Sequence, residues 1–228
     1  MANNDNMMPF NAIPPVALLL CAAVLVVEAA LSLADAGLIG GPGAIGWRVA
    51  AITDWGFSPA VWDQIALRGN WSGDMLFRFV TYSFVHGSFT HALFGAVILL
   101  AMGKFVGEVF GNLATLAVFL FAALVGAVVY GIVLTENVAL FGSYPGVYGL
   151  IGAFTYLLWL RLGKTGQNRL RAFRLIGLLM ALQLLFGVLF GGGSAWIADV
   201  SGFVAGFALS PLVSPGGWVA FVARLRTR

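Results

Sequence analysis

Long apolar runs alternate along this chain with short polar breaks, and most approach the length that crosses a bilayer. The first extends from about Ala12 to Leu33. After a less apolar stretch come five more, about Phe89 to Phe105, Asn112 to Leu134, Pro145 to Leu160, Phe173 to Phe190 and Ser194 to Val213. Each reads as a spanning helix, so the fold class is an all-α polytopic membrane protein with six spans. The membrane domain is placed at 12–213, between a polar tail at 1–11, expected to be mobile, and a basic tail at 214–228. The first run also imitates a secretory leader, with Ala34-Asp35-Ala36 as a cleavage-like site. It is long for that purpose and no basic residue precedes it, so it is read as a retained span. No likeness between the two halves of the chain is evident, which weighs against a transporter of inverted repeats.

The stretch from Ala36 to Ser88 has a different character. It holds Asp54, Asp63 and Asp74 beside Arg48, Arg68 and Arg78, and four of the seven tryptophans: Trp47, Trp55, Trp62 and Trp71. Tryptophan favours the headgroup boundary, where its ring is buried and its N–H stays wet. A long outer loop of short helices lying in the interface is expected; a small exposed subdomain is the alternative.

Composition sharpens this. Of 228 residues, 61% are hydrophobic and 9% charged, with mean hydropathy +0.96, which excludes an ordinary soluble domain. The net charge of +3 matters less than where the cations fall. Lys104, Arg161, Lys164, Arg169, Arg171, Arg174 and the terminal Arg224, Arg226 and Arg228 share one side if the spans alternate. That side is expected to be cytoplasmic, with both termini on it. Compact size and the absence of a targeting segment suggest a bacterial inner membrane. The single Cys21 excludes an intrachain disulfide. Glu28, inside the first span, is expected to be paired or hydrogen-bonded near its outer end.

Candidate chemistry gathers at Gly142-Ser143-Tyr144-Pro145-Gly146-Val147-Tyr148-Gly149-Leu150-Ile151-Gly152-Ala153, where the fourth span begins. Gly146, Gly149 and Gly152 are spaced to share a helix face, and Gly202 and Gly206 of the sixth span form a G-x-x-x-G pair flanked by Ala198 and Ala205. Small faces let membrane helices approach closely, so the fourth and sixth spans are expected to pack together. The same spacing also serves homodimers. His91, Tyr144 and Asp199 each lie near the outer start of a span, within roughly 10 Å of the outer face, and are expected to converge on one cavity.

At these residues the chain resembles the rhomboid family of intramembrane serine proteases. The family's G-x-S-G-x-x-[FY]-G-x-x-G is matched by Gly142, Tyr148, Gly149 and Gly152, and its A-H-x-x-G-x-x-x-G by Ala198, Gly202 and Gly206. Phe77-Arg78-Phe79-Val80-Thr81-Tyr82-Ser83-Phe84-Val85-His86 is similar to W-R-x-x-T-x-x-F-x-H, which marks Arg78 and His86 as outer-loop motif residues. Thr90-His91-Ala92-Leu93-Phe94 approaches the family's H-x-x-x-N opening. The resemblance implies a six-helix rhomboid-like bundle whose long Trp-rich loop follows the first span.

The departures fall on the chemistry. The position of the nucleophilic Ser is Tyr144, the following Gly is Pro145, the His of the sixth span is Asp199, and the oxyanion-holding Asn is Gly95. His91 alone remains of the catalytic positions. A Ser hydroxyl needs a base, and a carboxylate of ordinary pKa is too weak a one. The resemblance thus implies a catalytically degenerate relative that binds or steers the transmembrane segments of client proteins. Three alternatives stay open. One is proteolysis through Ser143 as a fallback nucleophile, with His86 or His91 as base; another is a channel or transporter; the third is a metal held by His86, His91 and Asp199, a weak ligand pattern. No cofactor, metal or nucleic acid is expected, and the bilayer itself is the first partner. A hydrogen bond from the Tyr144 hydroxyl to the Asp199 carboxyl is the expected replacement for the Ser–His contact.

Overall fold

A computed structural model describes residues 13–190 and 193–217, together with 219, 222 and 226. The expected mobile tail at 1–11 and most of the basic tail lie outside the described residues. The six expected runs correspond to helices α1 (Pro15–Asp35), α5 (Phe89–Phe110), α6 (Asn112–Val133), α7 (Tyr144–Lys164), α8 (Arg174–Phe190) and α9 (Trp196–Val213). All but α8 are both long and apolar enough to cross a membrane by themselves; α8 has 17 residues. Between α1 and α5 lie three short helices, α2 (Trp47–Trp55), α3 (Pro59–Ala66) and α4 (Gly73–Thr81), as expected of the outer loop.

Local chemistry sets the ends. Pro15 and Pro145 occupy first turns, where a missing N–H is harmless. The Ser88 hydroxyl accepts the His91 amide and caps α5. Gly111, at φ 80°, is the whole connection between α5 and α6, a conformation other residues rarely adopt. Two spans exceed their expected limits. α5 continues beyond Phe105, so Lys104 and Glu108 sit in its last turns rather than in a connection. α7 carries Arg161 and Lys164 inside its last turn. Backbone hydrogen bonding continues where hydropathy stops, because long basic stems lie along the helix while their heads reach water.

α7 is the central post. Val147, Leu150, Ile151 and Ala153 are fully buried, and α5, α6 and α9 surround it. Its closest neighbour is α9. A methyl group on Gly202 would enter the Pro145 carbonyl, one on Gly206 the Gly149 carbonyl, and one on Gly152 the Phe203 carbonyl. The expected contact is therefore present, carried by Gly149, Gly152, Gly202 and Gly206. Gly146 departs from it and faces the Phe119 ring of α6. The reason is geometric: three residues fall about 60° short of a full turn, so glycines at i, i+3 and i+6 fan across about 120°.

The outer loop is pinned to the bundle. Phe57 and Leu140 exchange antiparallel backbone hydrogen bonds of 3.0 and 2.7 Å, tying the loop to the segment before α7. Phe57, Val61, Ile65, Phe79 and Tyr82 bury against Ala123, Ala127 and Tyr130 of α6. The Arg78 guanidinium donates to the Thr53 carbonyl at 2.7 Å, and the Thr81 hydroxyl to the Trp55 carbonyl at 2.9 Å. Arg78 and Thr81 thus hold the C-terminal end of α2, where helix carbonyls lack partners. Trp47, Trp55 and Trp71 turn outward, whereas Trp62 lies against Gly131. Glu28 has the partner it was expected to have: Arg48 of α2 grips both carboxylate oxygens at 2.9 Å and also reaches Asp35 at 2.7 Å.

Candidate functional site

Three chain segments meet where α7 begins: the turn after α4, the first turns of α5, and the first turn of α9. Gly142 enters with φ 105°, its amide donating to the Tyr82 carbonyl at 2.9 Å. A Cβ there would lie 2.9 Å from the His91 ring, so both conformation and space call for glycine. Beyond it, Ser143 points inward and Tyr144 toward an open cavity.

Ser143 is fully buried, as is His86. The Ser143 amide donates to His86 Nε2 at 3.2 Å, and its hydroxyl lies 3.3 Å from the same nitrogen. A nitrogen that accepts an amide proton carries none itself, so the geometry puts the ring proton on Nδ1. Amide and hydroxyl divide one lone pair. A Cβ on Gly95 would fall 2.7 Å from the Ser143 oxygen and 3.4 Å from His86 Nε2. The hydroxyl thus occupies the space that a side chain at 95 would need, and Gly95 and Ser143 are one feature rather than two.

Burial, with the nearby His91 adding to it, pushes the His86 imidazole down to about 4 from its usual 6.5. The unfolded chain therefore binds this proton first as pH falls. Stability from His86 is complete above pH 6.5 and drains away between 6.5 and about 4, by up to about 3 kcal/mol. Unfolding of the detergent-solubilised protein should show this slope, and His86→Gln should flatten it. Equal slopes in the two proteins would remove His86 as the cause.

Tyr144 stacks on His91, with ring centroids 4.9 Å apart and planes 10° from parallel. Its hydroxyl donates to the His91 carbonyl at 3.2 Å. A phenol has one proton, so this bond takes the place of the expected donation to Asp199. The tie runs from α7 to α5 instead of to α9. Asp199, 2% exposed in the first turn of α9, contributes to the same cavity. That cavity measures about 360 Å³, and its walls include His91, Leu140, Phe141, Tyr144, Pro145 and Asp199. The convergence of His91, Tyr144 and Asp199 is thus as expected. His86 sits behind it, 5.2 Å from the His91 ring, and not in the cavity wall. Among the described residues no three His, Cys, Asp or Glu side chains are grouped to hold a metal.

Sequence reasoning missed Phe141, whose ring stands edge-on to His91 at 6.0 Å. It also missed Arg48, whose guanidinium donates to the His86 carbonyl at 2.8 Å while it holds Glu28. Neither carries a motif signal. Phe141 precedes the glycine of the motif, and Arg48 is one of three arginines in the loop.

Comparison with known proteins gives two findings. Residues 73–216 match the family model described as Rhomboid domain. Over 150 residues, 64% of the chain, the sequence is 26% identical to RHOMBOID-like protein 4 of Arabidopsis thaliana, and the match spans 37% of that protein's length.

Proposed function

The chain belongs to the rhomboid family, and from that premise we propose that it binds and steers transmembrane segments of client proteins without cutting them. One observation carries this reading. At the place where the family's nucleophile stands, a phenol lies flat on His91 and gives its proton to a backbone carbonyl. The rest agrees. Asp199 holds the base position, Gly95 offers no oxyanion donor, and the nearest serine is sealed away. Developing negative charge would meet no side-chain donor at 95, and such donors supply much of the rate in acyl transfer. What the geometry retains is a packed bundle with an open cavity at its loop-bearing end.

Orientation and setting belong to the same proposal. The cations of α7 and of the connection to α8 gather at the end opposite the loop, which supports a cytoplasmic position for that end. Outward-facing Trp47, Trp55 and Trp71 support a loop lying in the headgroup layer.

A second reading, hydrolysis through Ser143 with His86 as base, has the 3.3 Å contact in its favour. Against it stand complete burial of both groups and the amide that shares the nitrogen. The purified protein, exposed to a fluorophosphonate and to model transmembrane substrates, should neither become labelled nor release fragments. Labelling or cleavage that disappears in Ser143→Ala would establish the second reading and end the first.

A further inference from the structure

We propose that the cavity before α7 binds a cationic group, an ammonium or guanidinium borne by a client's side chain near the membrane boundary. This rests on the client-binding reading and names what the site selects. Asp199, although 2% exposed, is among the residues that wall the cavity, and among the described residues no Lys or Arg joins it there. Asp199 lies in the first turn of α9, where the helix dipole favours negative charge. Three aromatic rings share the lining with small and aliphatic residues: Tyr144 and His91 form a stacked pair, and Phe141 meets the His91 ring edge-on at 84°. Aromatic faces beside an acid attract a cation, more strongly where water is scarce. A volume of about 360 Å³ is that of on the order of ten waters, enough for the head of a Lys or Arg side chain. Replacing a base by an acid at 199 therefore changes the character of the chamber from proton transfer to charge selection.

The selection is meaningful because most spans carry their Lys and Arg on the cytoplasmic side. A client with a cation at the loop-bearing end of this bundle would stand apart from the general run of membrane helices.

The test uses the full chain in nanodiscs. Two model transmembrane peptides, identical except for Lys or Met at the boundary position, are titrated against it. The Lys peptide should bind about tenfold more tightly. The preference should fall to about one in Asp199→Asn and persist in Asp199→Glu, which keeps the charge. Equal binding of the two peptides by the unsubstituted protein overturns the inference. If neither peptide binds, the client reading fails, and n-butylammonium against 1-butanol decides the site by itself. A rise in unfolding temperature with the ammonium alone, absent in Asp199→Asn, sustains a cation site. No difference between the two probes overturns it.

Discussion

Arg48→Met should lower the stability of the protein by about 3–5 kcal/mol at pH 7.5, the cost of leaving a buried charge without its partner. The Glu28 carboxyl is 1% exposed inside α1, and Arg48 reaches it with two nitrogens at 2.9 Å. The Ser32 hydroxyl adds a third donor to the same carboxylate at 2.6 Å. Without the guanidinium, only that hydroxyl remains to Glu28 from this network. The effect has a diagnostic pH dependence. An unpaired buried carboxylate relieves its cost by taking up a proton, so the deficit relative to the unsubstituted protein should shrink as pH falls. Glu28→Gln with Arg48→Met should recover most of the loss, because a neutral amide costs far less to bury than an anion. Urea or SDS titration of the detergent-solubilised variants reads all three. A single variant as stable as the parent would show that the ion pair holds nothing together. The consequence would reach the cavity, since the same guanidinium fixes the His86 carbonyl and His86 fixes Ser143.

The spans were legible because hydropathy reports the bilayer directly: every expected run from Phe89 to Val213 corresponds to a helix. Their ends were not, since α5 and α7 continue where the solvent changes but the backbone has no reason to stop. The site was legible in its membership and not in its wiring. Position along a helix put His91, Tyr144 and Asp199 at one depth, and they share one cavity. Which acceptor receives the Tyr144 proton depends on the rotamer and on a carbonyl 53 residues away, and no motif encodes that. Glu28 announced its need for a partner, but Arg48, Arg68 and Arg78 were equal candidates until the loop had a path. Likewise Gly95 read as a lost donor, when its second role is to make room for the Ser143 hydroxyl. Contacts between residues far apart in sequence were the part that remained hidden.

Gly206→Leu should prevent α7 and α9 from closing and leave little folded protein. Even a methyl group at 206 would enter the carbonyl of Gly149, and backbone cannot turn aside as a side chain can. Overpacking a core by a few atoms costs about 1–3 kcal/mol when neighbours relax, so a wedge between two helix backbones should cost at least the upper figure. A graded series isolates the cause. Gly206→Ala should already be strongly destabilising. Gly146→Ala should cost about 1–3 kcal/mol, less than Gly206→Ala, because its obstacle is the buried Phe119 ring, 2.6 Å from the added atom, a side chain rather than backbone. Gly177→Ala, with nothing within 4 Å, should be neutral or slightly stabilising, as alanine is the better helix former. The fraction surviving size-exclusion chromatography, followed by SDS unfolding, orders the variants. Were Gly206→Ala to behave like Gly146→Ala, the close approach of α7 and α9 would not be what holds the bundle. If the order is as expected, the same contact fixes the cavity: Tyr144 and Asp199 stand in the first turns of these two helices, and their spacing follows from the glycines below them.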